Sequence, residues 1–512
     1  MPGNGLWRTK SVEQSIKDTD EPGSKLRRSL STWDLTVFGV AVVIGAGIFT
    51  LTARTAGDYT GPSVAVSFII AAIACALAAM CYAEFASTVP VAGSAYTFSY
   101  ATFGEFVAWI IGWDLILELA VGAAAVARNW SIYLNTVLAY LFDFDEGAKT
   151  VTAFKIGAIT IDWGALVVIG GLTTLLVLGT KLSSRVSMVI TIIKVAIVLF
   201  VIFAGLFFVK AANYSPFIPP SKAPAGGDAG VNQSLFAAIA GSEGSNFGIF
   251  GLLAGASLVF FAFIGFDIVA TTAEETKNPQ RSVPRGILFS LGIVTVLYVS
   301  VSLVVVGMVK YGDLATTTKP DGSQDKKTLA TAFAANGAQW GEQIVSIGAL
   351  IGLTTVVMVL MLGQIRVIFA MGRDGLFPRW LSKSSDRGTP ARATWVVGGL
   401  IAIAATFFPA DKLEEMTNVG TLFAFVLVSA GVIVLRKTRP DLTRSFKAPG
   451  VPWLPILAII ACAWLMLNLE VLTWIRFVIW LAVGVVIYFG YSRRNSRLGQ
   501  RMADGGEVPT KV

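Results

Sequence analysis

Apolar runs close to the roughly 20 residues that a bilayer-crossing helix needs recur twelve times along the 512-residue chain. They predict spans at 34–57, 62–88, 106–140, 160–179, 184–209, 247–275, 284–308, 330–362, 392–408, 414–435, 453–470 and 473–491. The pattern is that of an all-α polytopic membrane protein. It divides into a polar tail over 1–30, ten spans over 31–436, two further spans over 437–491 and a second tail over 492–512. The first span follows a long polar stretch without a small-residue cleavage signature, so it is expected to be retained. Ser31 or Thr32 is placed to cap it, and Asp34 suits the positive end of the helix.

Two spans are interrupted. Span 1 carries Val43-Ile44-Gly45-Ala46-Gly47-Ile48-Phe49 in its middle, and span 6 carries Phe260-Phe261-Ala262-Phe263-Ile264-Gly265-Phe266-Asp267. Glycines weaken a helix, and opened backbone at membrane depth is tolerated only where protein buries it or where it lines a cavity. At 1.5 Å per residue, Gly45 lies roughly 17 Å beyond Asp34 and Gly265 about 14 Å before Glu274, so both breaks fall near mid-membrane. Spans 1 and 6 each open a block of five, and five is odd, so the second block enters from the opposite face. The expected architecture is a 5+5 inverted repeat with discontinuous helices 1 and 6, two extra C-terminal helices, and a small-solute site where the breaks meet.

The chemistry of such a site follows from bare backbone. Around Ile44 and Gly45 the helix opens, and the amides of Ala46 and Gly47 gain a carboxylate-binding geometry. The carbonyls of Val43, Phe261 and Ile264 suit an ammonium group. One zwitterion satisfies both. The alternative for the glycines is close helix packing. Ala262, Asp267 and the aromatics Phe261, Phe263 and Phe266 share the second break, the aromatics as candidate gates, and Met358 in span 8 is a candidate pocket wall.

Ionisable residues inside spans are functional candidates by default. Lys194 is too deep in span 5 to snorkel and must find acceptors or give up its proton; it is read as the proton-coupling group or as a fixed cation in place of sodium. Glu118, at similar depth in span 3, is read as a substrate contact or a proton carrier, with Asp114 one turn earlier. The charged tract from Glu274 to Arg285, with Glu274 and Arg281 as its candidate pair, suits a gate hinge or an ordinary solvated connector.

Composition agrees. The chain is 54% hydrophobic and 14% charged with mean hydropathy +0.70, against about 25% charged for a soluble domain. Most of the 40 Lys and Arg fall on the side of both termini. The positive-inside rule therefore predicts cytoplasmic termini and accounts for the +8 net charge without nucleic acid. The chain has no histidine, and Cys75, Cys81 and Cys462 lack metal-ligand spacing, so no cofactor or bound metal is expected and proton handling falls to Lys, Asp, Glu or Tyr. Asn213-Tyr214-Ser215 and Asn232-Gln233-Ser234 match glycosylation sequons, a common pattern.

These residues carry a resemblance. The glycine run of span 1, Tyr82-Ala83-Glu84, Pro90-Val91-Ala92-Gly93-Ser94-Ala95-Tyr96, Gly112-Trp113-Asp114-Leu115-Ile116-Leu117-Glu118, Phe263-Ile264-Gly265-Phe266-Asp267, Glu274-Glu275 with Asn278-Pro279, and Arg373-Asp374-Gly375-Leu376-Phe377-Pro378 are similar to the amino acid–polyamine–organocation superfamily. Within it the chain resembles bacterial members of the cationic amino acid transporter family, from about Leu30 to Tyr491. The resemblance implies alternating access, a substrate carboxylate at Ala46 and Gly47, an amine at Val43, Phe261 and Ile264, and an aromatic gate at Phe261. It also implies a proton-coupling role for Lys194 in place of sodium. Ala46 stands where similar proteins often carry serine, which removes one hydroxyl contact. The expected protein is a proton-coupled amino acid symporter of the plasma membrane, surrounded by lipid and moving cationic or small neutral amino acids. An amino acid/polyamine exchanger and a transport-dead sensor are the alternatives. Nothing in the motifs suggests an enzyme.

Overall fold

The computed structural model describes residues 8–10, 30–89, 94–144, 150–156, 159–179, 184–222, 231, 233–241, 246–273, 276–319, 324–383, 385 and 389–503. Among the described residues, eight helical stretches are long and apolar enough to cross a membrane, and Trp163–Val177, Ala391–Phe407 and Trp453–Leu467 are shorter apolar helices. Two small hairpins, Ala153–Ile156 with Ile159–Asp162 and Thr317–Thr318 with Gln324–Asp325, make up the sheet among the described residues. This is a multi-pass, all-α integral membrane protein. Helices suit lipid because every backbone group within them is satisfied internally. Exposed Ile73, Val296 and Ile403 are side chains for an apolar solvent.

The first helix, α1 (Thr32–Val43), starts as its sequence requires. The Ser31 hydroxyl accepts from the Asp34 amide, and the Asp34 carboxylate accepts from the Ser31 amide at 2.8 Å, a complete capping box. The helix stops at Ile44, whose ψ of 96° leaves the helical region. Helix resumes through a wide π-type turn, Gly47–Leu51, into α2 (Thr52–Thr55). Gly61, at φ +65°, and Pro62 then redirect the chain into α3 (Val64–Thr88). A short α4 (Ser94–Thr102) precedes α5 (Glu105–Phe142), which packs chiefly on the later helices Gln339–Arg373 and Ala410–Thr438. α6 (Trp163–Val177) and α7 (Ser184–Gly205) follow.

The second interruption has its own geometry. α8 (Gly248–Val259) tightens to a 3-10 turn over Phe260–Phe263, leaves helix at Ile264 (ψ 137°), passes Gly265 at φ +114°, and ends in the single turn of α9 (Ile268–Thr271). Only glycine takes that φ without strain. The remaining long elements are α10 (Pro279–Met308), α11 (Gln339–Arg373), α12 (Ala391–Phe407), α13 (Ala410–Thr438), α14 (Trp453–Leu467) and α15 (Val471–Ile487).

Candidate substrate site

The two interruptions face each other at contact distance. A Cβ built on Gly47 would lie 2.1 Å from the Ala262 Cα and 2.3 Å from its Cβ, and one on Gly265 would lie 2.6 Å from Val42 Cγ1. Glycine at these two positions lets one opened backbone rest on the other.

Breaking α1 strands carbonyls as well as amides, and two side chains from other helices answer them. In an unbroken helix the Ala41 and Val43 carbonyls would receive the amides of Gly45 and Gly47. Instead, the Lys194 ammonium on α7 donates to Ala41 O at 2.6 Å, and the Tyr298 hydroxyl on α10 donates to Val43 O at 2.6 Å. Tyr298 also reaches Ala262 O at 3.0 Å, so a single buried hydroxyl spans both breaks. On the second break, Phe261 O accepts the Ile264 amide at 3.3 Å. The Gly45 amide faces the Tyr298 hydroxyl oxygen and donates to no carbonyl among the described residues.

A small cavity, partly open, lies between the breaks. Of the residues singled out in the sequence, Val43, Gly45, Ala46, Gly47, Phe261 and Ile264 line it. Its other walls come from Gly122 and Val126 on α5, Val356 and Leu360 on α11, and Thr417 on α13, together with Val42. Among the described residues, no ionisable side chain is on the wall.

The remaining sequence candidates lie elsewhere. Ile44 is fully buried behind the break, and Ala262 touches Gly47 from outside the cavity wall. The Phe263 ring turns away, packing on Phe68 and Tyr298 with centroids at 6.2 and 5.3 Å. Met358 is buried but off the wall; Val356 and Leu360, one turn apart, occupy the facing stripe, and Met358 projects between them to the other side. Glu118 sits one turn from Gly122 toward the face that carries the termini, beside Thr421 and Asp267. Asp114 lies a turn further, against Gly420. Both Asp114 oxygens, Glu118 Oε2 and Asp267 Oδ1 are buried without a hydrogen-bond partner. Glu274 lies outside the described residues, and Arg281 is exposed in the first turn of α10.

Polar clusters tie the bundle on both sides of the cavity. On the side away from the termini, Arg54 on α2 pairs with Glu414 on α13 at 2.5 Å, and Asn129 on α5 donates to the same carboxylate at 2.9 Å. Asp58 accepts from the amide and hydroxyl of Thr316 at 2.8 and 2.7 Å. On the other side Glu84 accepts from Arg436 at 2.8 and 2.6 Å, Tyr96 donates to Asp374 at 2.7 Å, and Glu105 accepts from Arg8, Tyr100, Tyr488 and Ser496. Removing one member of a buried ion pair typically costs about 3–5 kcal/mol, so these contacts hold this arrangement of helices.

A cavity enclosed by two opened membrane helices, with apolar walls and bare peptide groups at one end, defines a carrier for a small solute. Comparison with known proteins places it: residues 30–492 match the model of the amino acid permease family. A branched-chain amino acid permease from Bacillus subtilis is 43% identical over 498 residues, covering 97% of this chain and 99% of that one. A methylthioribose transporter from the same organism is 40% identical over 97% of this chain and 100% of its own length. A vacuolar cationic amino acid transporter from Arabidopsis thaliana is 37% identical over 86% of this chain and 68% of its own. The chain belongs to the amino acid permease family, and its role is transport rather than catalysis.

Proposed function

We propose that this permease takes up neutral aliphatic L-amino acids by proton-coupled symport. Its twelve crossings form a 5+5 inverted repeat and two added helices, with both termini on the cytoplasmic side of the plasma membrane. The observation that carries the reading is the meeting of the two breaks, Gly47 on Ala262, beside a cavity walled only by uncharged residues. The substrate carboxylate docks at the amides of Gly45 to Gly47. The ammonium takes the carbonyls of Phe261 and Ile264 and shares that of Val43 with Tyr298.

A zwitterion matches this end better than methylthioribose, which brings no anion to the amides. A lysine or arginine head would be buried on this wall without a counter-charge, which is costly. Lys194 and the carboxylates of Glu118, Asp267 and Asp114 are the groups that take up and return the proton, and no bound metal or cofactor is needed. The Arg54–Glu414 pair closes the outer side and Glu84 with Arg436 the inner side, alternately.

Uptake by purified protein in empty proteoliposomes tests the proposal. An acidic exterior is expected to drive accumulation of labelled leucine, a protonophore to abolish it, and valine to compete better than lysine or methylthioribose. A strict need for internal amino acid would make the protein an exchanger instead. Binding without movement would make it a sensor.

A further inference from the structure

The cavity has a chemically bare end, and one glycine sets its depth. Gly122 on α5, Leu360 on α11 and Thr417 on α13 converge on the part of the wall supplied by the unbroken helices. A Cβ on Gly122 would meet Thr417 Cγ2 at 3.3 Å and Leu360 Cδ1 at 3.7 Å. Thr417 is the only hydroxyl-bearing residue on the wall among the described residues, and its proton is committed to Leu413 O on its own helix at 2.8 Å. The atom it places nearest to Gly122 is its methyl.

We infer that Gly122 is the specificity-determining residue of the side-chain subsite: the missing Cβ sets how large an aliphatic side chain the permease admits. The inference rests on the proposed placement of the substrate's charged groups at the breaks, which leaves the side chain pointing to this end. One methyl group added at 122 packs against Thr417 and Leu360, and the volume it takes is lost to the subsite that these three residues line. Trimming Leu360 removes the opposite wall and raises the ceiling. A methylene more or less in an apolar pocket changes discrimination by about tenfold or more.

The test is competition for binding to purified protein by glycine, alanine, 2-aminobutyrate, valine, leucine, phenylalanine, lysine and arginine. Gly122→Ala is expected to weaken leucine relative to alanine by about tenfold while alanine itself stays near the wild-type value. Leu360→Ala is expected to move the other way, admitting phenylalanine. Equal weakening of alanine and leucine in Gly122→Ala, with no gain of larger side chains in Leu360→Ala, would overturn the inference. A wild type that prefers lysine and arginine would instead overturn the neutral substrate class. The size limit set at 122 would then be read from the order of side-chain sizes within whichever series binds.

Discussion

Gly47→Ala is expected to lower amino acid binding by about a hundredfold and to remove transport. Its new methyl group would fall on the backbone of Ala262, 2.1 Å from Cα and 2.8 Å from N, and backbone within a packed break has no rotamer through which to escape. Overpacking of a well-packed core costs typically about 1–3 kcal/mol. Here the contact is with main chain, so the upper end applies, and each 1.4 kcal/mol is tenfold in affinity. Gly45→Ala is the control. Its Cβ would meet the methyl groups of Val356 at 3.2 and 3.3 Å and the Val43 carbonyl at an ordinary 3.7 Å, and a side chain can shift by a few tenths of an ångström. Binding within about tenfold of wild type is expected there. Equilibrium binding of labelled leucine to both variants, beside their thermal stabilities, separates loss of the site from loss of the fold.

Lys194→Ala is expected to abolish accumulation driven by a proton gradient while exchange of internal for external substrate persists, slowed by about tenfold. The ammonium donates at 2.6 Å to the Ala41 carbonyl, two residues before α1 stops at Val43, and its stem packs on Gly352 of α11. A proton at this position therefore acts on the geometry of the break itself. Its loss weakens a charge-assisted hydrogen bond worth roughly 1.5–3 kcal/mol, which loosens α1 against α7 and α11. Alanine cannot hold a proton in any state, so the contact between α7 and the break no longer responds to pH although the cavity is intact, and the carboxylates alone are expected not to couple the gradient to the break. Flux assays with and without a pH gradient read the two modes separately. Unchanged pH-driven accumulation in the variant would remove Lys194 from the coupling mechanism.

The breaks were legible in the sequence because glycine inside an otherwise apolar run is costly unless the backbone opens, and two such runs lay at one depth. Lys194 was legible for a similar reason: a lone cation deep in an apolar run cannot be a solvated surface residue. Arg54 obeys that rule too, but it lies near the end of the predicted span 34–57, where a long side chain ordinarily reaches water. Its buried partner Glu414 comes from a span that begins some 360 residues later, and pairing at that distance leaves no local pattern.

Tyr298 gave no signal, since a tyrosine in an apolar helix reads as core or as interface. Its role depends on where the Val43 and Ala262 carbonyls end up. Met358 shows why the pocket wall was harder than the pocket. Span 8 is apolar nearly all round, so no polar face fixes its rotation, and the wall fell to Val356 and Leu360 instead. Gly122 was hidden in the same way, as a small residue within the run Gly122-Ala123-Ala124-Ala125, a composition that suits helix packing anywhere in a bundle.

A structure of the protein with leucine bound tests the central claim most directly. The account predicts the carboxylate within hydrogen-bonding distance of the amides between Gly45 and Gly47, the ammonium at the carbonyls of Phe261 and Ile264, and the isobutyl group directed at Gly122. Leucine seated outside this cavity, or first and sixth helices hydrogen-bonded without interruption around it, would contradict it.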